Sequence, residues 1–409
     1  MSDIYHLRRS SPGIAVQPFG LFAIAANSSA LGVGVFGSPG PLWLPPGAHT
    51  DAVQLPPTPD RSFASDNAAG AHPDVIAALV AANTGHALAY GDDRWTRDCA
   101  GLFRDLFGTG ETFLTFSGTG GNILGLMAML QPVDAVVCAA GSHINVDEAG
   151  SAERILGAKL IDVPTDDGKL RPEQIHDLGW MLGNEHHAQP AVVSITQSTE
   201  LGTIYTAAEV AAIAATAHSM GMRVHMDGAR ISNATAALGA SVEVLRSFTV
   251  DAGVDVLTFG GTKNGMVGGE AVVFLDAALA RRAAYLRKTI TQLPSKMRYI
   301  AAQFIALLTD GLWLRTAGHS NGMAAKLYDG VHTLPGVAVA PPAVNSLFPA
   351  LPPGVIAGLR DWSFFWDWDV AKHQVRWMTS WDTTDEDVAR FIGGVTSATH
   401  SFAAGELTN

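Results

Sequence analysis

Four short segments of the sequence carry side chains suited to anion binding, acid–base work and carbonyl chemistry. Ser117-Gly-Thr-Gly-Gly-Asn122 is built of small residues and precedes an apolar helical pattern over 123–130. Backbone N–H groups at a helix start carry partial positive charge, so Gly118, Thr119 and Gly120 form a candidate phosphate cradle. The segment lacks the Lys-Ser/Thr ending of a nucleotide loop and reads equally as a tight turn. Asp227-Gly-Ala-Arg230 closes an apolar run, and a carboxylate at a buried strand end is costly unless something cationic needs it. Asp227 therefore pairs with Arg230, caps the next helix, or serves a bound cationic group. Lys263 stands alone in Gly-Gly-Thr-Lys-Asn-Gly, where it is either solvated or an amine nucleophile for a carbonyl. His143, in Gly-Ser-His-Ile-Asn-Val-Asp-Glu, follows another apolar run; a plain polar loop residue is the alternative reading.

These segments need a scaffold that brings them together. From about residue 112, short β-branched runs alternate with Ala-rich helical stretches, the pattern of a mainly parallel sheet covered by helices. Strands are expected at 112–116, 135–138, 159–163, 191–196, 223–227, 254–259 and 270–275, forming one seven-stranded sheet. Ligands of open α/β sheets bind beyond the carboxyl ends of the strands, where all four segments fall. Capping boxes are expected at Thr206-Ala-Ala-Glu209 and Thr383-Thr-Asp-Glu386.

The 409 residues carry 38 Asp+Glu against 26 Lys+Arg, a net charge of -12, which gives no footprint for a phosphate backbone and excludes nucleic acid as a partner. The charge-free stretch from Ser10 to Thr50 is broken by Pro and Gly, which denies it the run of about 20 apolar residues that a membrane span needs. Residues 1–60 read as an irregular N-terminal extension, 61–310 as a large α/β domain and 311–409 as a smaller α+β domain with five of the nine Trp between positions 362 and 381. That Trp cluster reads as core of the small domain. Cys99 and Cys138 lack the spacing of a zinc site or disulfide framework, and cytoplasm is the expected location.

A phosphate cradle, a loop Lys, a strand-end Asp and a His are together the parts needed to hold pyridoxal 5'-phosphate: helix start for phosphate, Lys for the Schiff base, Asp for the pyridine nitrogen, His for one ring face. Their order resembles the low-specificity L-threonine aldolases, within the aspartate-aminotransferase-like fold (fold type I) of pyridoxal-phosphate enzymes. The resemblance spans 62–387 and is carried by His-Met-Asp227-Gly-Ala-Arg230 with Gly-Thr-Lys263-Asn-Gly. It implies Lys263 as the cofactor-linked lysine, Asp227 as partner of the ring nitrogen, Gly118, Thr119 and Gly120 at the phosphate, and His143 stacked on the ring. It further implies that Ser65, Arg230 and Arg376 hold the substrate carboxylate. Arg298 resembles the arginine that reaches the phosphate of a neighbouring subunit, which implies a homodimer or homotetramer with sites at the subunit interface. The family's pocket Tyr is replaced by Trp95, with Tyr90 on the other side of Gly91-Asp92-Asp93, so either ring is a candidate. His186 and His187 both align with the family's histidine near the substrate hydroxyl; with no third ligand at a recognisable spacing, this pair is not read as a metal site. The implied reaction is cleavage of L-threonine, L-allo-threonine or a related amino acid such as phenylserine to glycine and an aldehyde, with His143, His186 or His187 as base. A β-eliminating lyase, an aminotransferase and a non-catalytic cofactor-binding protein are the alternatives.

Overall fold

A computed structural model describes residues 55–405. All seven expected strands form: β1 (Glu111–Thr115), β2 (Asp134–Ala139), β3 (Lys159–Val163), β4 (Gln189–Thr196), β5 (Arg223–Gly228), β6 (Val256–Gly260) and β7 (Glu270–Phe274). They make a single sheet in the order β1-β7-β6-β5-β4-β2-β3. The strands from β6 to β3 run parallel, whereas β7 is antiparallel to both β6 and β1. Every residue of β6 and β7 is buried, the mark of strands covered by helices on both faces.

The helix Gly118–Met129 lies unusually close to this sheet. A Cβ on Gly121 would stand 2.8 Å from Thr258, and one on Gly125 would stand 3.1 Å from Val256 and 3.2 Å from His225. Glycine at these two positions therefore lets the helix start sit directly above the ends of β5 and β6. The sheet buries His225 between the Ser194 hydroxyl at 2.9 Å and the Thr258 hydroxyl at 3.3 Å, and burial pushes its imidazole down to about 4.

A second apolar core lies around a three-stranded antiparallel sheet, β8 (Ser346–Leu347), β10 (Gln374–Met378) and β9 (Trp366–Asp369), in the order β8-β10-β9. The helix Leu312–Val331 serves both cores, with Leu312 and Trp313 in the first and Met323, Leu327 and Val331 in the second. Phe63 is buried in the second core and Pro56 accepts from the Trp362 indole at 2.8 Å, so the chain from Leu55 onward is packed structure. Of the C-terminal tryptophans Trp377 is fully buried, Trp362 packs at its side, and Trp366 is exposed.

The box at Thr206 forms as expected, with Glu209. The second is shifted by one residue: Thr384 caps the helix Asp385–Ala403 and Asp387 closes the box. The reason is that the Thr383 hydroxyl is taken by the Ser380 N–H at 2.9 Å, leaving Thr384 as the free cap. Among the described residues no helix is long and apolar enough to cross a membrane, and no group of three or more His, Cys, Asp or Glu could hold a metal ion.

Candidate active site

The carboxyl ends of the central strands converge on one pocket, lined by Gly118, Thr119, Asn122, His143, Glu148, Glu200, Asp227, Arg230 and Lys263 among others. Each arrives from a different element: Asp227 from the end of β5, Lys263 from the turn after β6, His143 from just past β2 and Glu200 from just past β4. The Ser117 hydroxyl accepts from Gly120 N–H at 3.2 Å and the Ser117 carbonyl accepts from Gly121 N–H at 2.9 Å. The N–H groups of Gly118 and Thr119 are left without an acceptor among the described residues, as a helix start leaves its first donors.

Asp227 is buried and makes no ion pair among the described residues. Its Oδ1 accepts from Ala229 N–H at 2.9 Å and its Oδ2 from the Asn122 amide at 2.8 Å. Asn122 donates its other N–H to Glu148 Oε1 at 3.1 Å, so two buried carboxylates fix the orientation of one amide. Glu148 Oε1 also lies 3.0 Å from His143 Nδ1. A buried carboxylate there demands a proton on Nδ1, which leaves Nε2 as the acceptor of the ring. That hydrogen bond holds the His143 imidazole above its ordinary range, against the opposing effect of burial. Glu200 Oε1 accepts from His143 N–H at 2.8 Å and from the Thr196 hydroxyl at 2.9 Å, and burial pushes its carboxyl up.

Lys263 is held below the usual lysine range by burial and then by the charge of Arg230, and it makes no hydrogen bond among the described residues. Its turn is clamped by Glu270, which accepts from Gly261 N–H at 2.8 Å and whose carboxyl burial pushes up to about 7.

Several expected residues stand elsewhere. Arg230 does not pair with Asp227; its Nε and Nη2 donate to Asp66 at 2.7 and 2.9 Å. His186 and His187 sit before β4, at its amino end, while the pocket lies beyond its carboxyl end. Eight residues of strand, on the order of 25 Å at about 3.3 Å each, separate them from the site of their own protomer, which removes both from it. Arg298 donates to Gly85 carbonyl at 3.3 Å and leans on the rings of Trp95 and Tyr299, outside the pocket of its own protomer. Neither candidate ring lines that pocket: Trp95 packs on the large core, and Tyr90 is exposed beneath Lys288. Ser65 and Arg376 come together on the small-sheet side, where Arg376 donates to the carbonyl of Ala64 at 3.3 Å.

Sequence reasoning passed over Asn122, Glu148, Asp66, Glu200 and Gln292. Asn122 and Glu148 lie inside segments already singled out, Asp66 is the neighbour of Ser65, and Glu200 follows a strand end, the place where site residues gather. Gln292 left no local signal; its side chain covers Gly120, where a Cβ would stand 2.3 Å from it.

The pocket offers unpaired N–H donors at a glycine-rich helix start, a buried carboxylate with no cation, an unpartnered amine and a buried Asn122 Oδ1 without a donor. That set fits pyridoxal phosphate. A model of the family described as Beta-eliminating lyase matches residues 62–351. The low specificity L-threonine aldolase of Pseudomonas aeruginosa is 43% identical over 333 residues, covering 80% of this chain and 95% of that protein. The chain belongs to the low-specificity L-threonine aldolase family. The protein of that name from Pseudomonas sp. is 41% identical, with 82% and 97% covered. Among solved structures, the threonine aldolase of Leishmania major superposes with a TM-score of 0.77 at 30% identity, covering 82% of this chain and 98% of that one. The Sphingomonas wittichii serine palmitoyltransferase, at 17% identity and a TM-score of 0.64, shares the fold.

Proposed function

We propose that this pocket, loaded with pyridoxal phosphate, cleaves an L-β-hydroxy-α-amino acid such as L-threonine, L-allo-threonine or phenylserine to glycine and an aldehyde, and runs the reverse addition. The observation that carries the reading is the meeting of an unpartnered Lys263 amine with a cation-free Asp227 and a His143 whose tautomer is set by buried Glu148. Gly118, Thr119 and Gly120 hold the phosphate, Lys263 the aldehyde carbon and Asp227 the ring nitrogen. When bound, the cofactor supplies the electron sink for bond breaking beside the amino group. Arg376, Ser65 and the free edge of Arg230 hold the substrate carboxylate and so set which bond at Cα stands perpendicular to the ring. His143 covers one ring face and takes the β-hydroxyl proton on Nε2, while Glu148 holds the proton on Nδ1. Arg298, which faces away from its own pocket, reaches the phosphate of a second copy, so the working form is a cytoplasmic homodimer or homotetramer.

Aldehyde and glycine released in equal amounts from L-threonine and L-phenylserine test this. Ammonia and a keto acid without glycine would instead establish β-elimination, the chemistry named by the matching family model.

The role of His143 gives a pH prediction. Its pKa is raised by Glu148, so the base form, and with it kcat/KM, is gained as pH rises through a value above the ordinary 6.5. Glu148→Gln keeps the acceptor oxygen and removes the charge. The acid limb of the kcat/KM profile is expected to move to lower pH, with a fall of about tenfold on the plateau as the base weakens. A limb that stays in place would transfer the base role to another group.

A further inference from the structure

Two guanidinium groups make up the carboxylate seat proposed above; Arg230 lines the pocket, Arg376 lies on the small-sheet side, and their environments differ sharply. Arg230 is locked in a fork by Asp66, through Nε at 2.7 Å and Nη2 at 2.9 Å, and only its Nη1 has no partner among the described residues. Asp66 is 2% exposed, and it takes a third bond from the Asn345 amide at 3.1 Å. The short turn that carries it is tied down by Phe63, whose side chain lies in the second core and whose carbonyl accepts from Met378 N–H at 2.8 Å. Arg376 makes no ion pair among the described residues: it donates to the Ala64 carbonyl, its Nε is buried without a partner, and it lies 5.5 Å from the Trp368 ring. Burial and the neighbouring Arg230 charge pull the Arg376 guanidinium below its usual range, while Asp66 and, less strongly, Asp147 act in the opposite sense.

We propose that Asp66 is a positioning and specificity residue of the substrate seat: it cancels one of two guanidinium charges and turns a single N–H edge of Arg230 to the pocket, so the seat matches an amino acid with one carboxylate. Two cations at such a seat without an internal carboxylate would favour a dianion. With Asp66 in place the three groups sum to one positive charge, and a second carboxylate on the ligand meets the neutral Arg230–Asp66 pair. The inference rests on the amino-acid substrate proposed above and adds what that substrate cannot carry.

The test uses the protein loaded with pyridoxal phosphate and reads ligand uptake from cofactor absorbance, without turnover. Glycine and L-aspartate are titrated into the wild type and into Asp66→Asn, which keeps size and removes the charge. The ratio of aspartate to glycine affinity is expected to rise at least about tenfold in the variant, as one uncompensated charge a few ångströms away requires. Adding Arg230→Gln to Asp66→Asn restores a single charge and is expected to return the ratio toward the wild-type value. Equal weakening of both ligands, with the ratio unchanged, would reduce Asp66 to a structural role and overturn the proposal. Should Asp66→Asn fail to fold, Arg376→Gln leaves the ion pair intact and gives the same answer. It is expected to cut the preference for glycine over ethanolamine by about 10- to 100-fold, since the one uncancelled cation is gone. Retention of that preference would show that Arg230 acts as a free cation, against the proposal. Failure of the wild type to take up glycine would overturn the aldolase reading and this one together, whereas an unchanged ratio overturns only this one.

Discussion

A Lys263→Ala protein is expected to lose cleavage of L-threonine by more than about 10^4-fold, the scale set by removing a covalent participant, while keeping its fold. Lys263 is the lysine that lines the pocket; the other basic groups lining it are the Arg230 guanidinium and the His143 imidazole, neither of which is an amine. Its removal leaves the Gly118 and Thr119 donors and Asp227 untouched, so pyridoxal phosphate is still expected to bind, but reversibly and lost on dialysis. Stability should hold or rise, because the amine is desolvated and gains no hydrogen bond in return. Three measurements decide the matter together: product release, the cofactor absorbance that survives dialysis, and the urea midpoint. Full activity in this variant would end the scheme, whereas loss of activity with a collapsed midpoint would say only that the turn Gly261–Met266 had come apart. The Glu270 clamp on Gly261 makes that collapse an unexpected outcome, since it holds the turn from the backbone, independently of the lysine side chain.

The sheet and four of its site residues were legible because each was announced locally. Strand signals come from runs of apolar and β-branched residues, and the position just beyond a strand end is readable without knowing which strands are neighbours. Gly118, His143 and Lys263 follow that rule, and Asp227 is the last residue but one of its strand. What was not legible depended on distance in the chain. Asp66 and Arg230 are 164 residues apart, and nothing near Arg230 marks Asp66 rather than Asp227 as its partner. His186 and His187 stand away from the pocket of their own protomer for a related reason: they precede a strand, and a strand carries its two ends to opposite edges of the sheet. The shifted box at Thr384 turned on a single competing hydrogen bond from Ser380, a contact that no spacing rule contains. The boundary at 310 illustrates the same limit, because the helix Leu312–Val331 is continuous in sequence pattern yet divides its apolar face between two cores.

Replacing Asp227 with asparagine should slow cleavage by about 10^2- to 10^3-fold, with most of the loss in kcat. The reasoning starts from a buried carboxylate that no cation pairs with: its two oxygens are met by the Ala229 N–H and the Asn122 amide, dipoles that hold it in place without cancelling its charge. A charge kept in that state at a strand end would hold the ring nitrogen of bound pyridoxal phosphate in its protonated form, and the cofactor would supply the electron sink. Asparagine keeps the volume and the acceptor for Ala229, so the fold should survive at a cost of about 1–2 kcal/mol, from two amides that now face each other. The substitution also reports on its neighbours. The Asp227 charge contributes to the raised carboxyls of Glu200 and Glu270, and its removal should let both ionise at lower pH. It also contributes to the raised imidazole of His143, so the acid limb of the rate profile should move down in the same variant. A slow protein whose urea midpoint falls by no more than that small cost, with a shifted limb, would place Asp227 in both roles. A variant with wild-type kcat would remove it from the ring nitrogen, and the Asn122 amide, joined to Asp227 on one side and Glu148 on the other, would then remain only as a structural link.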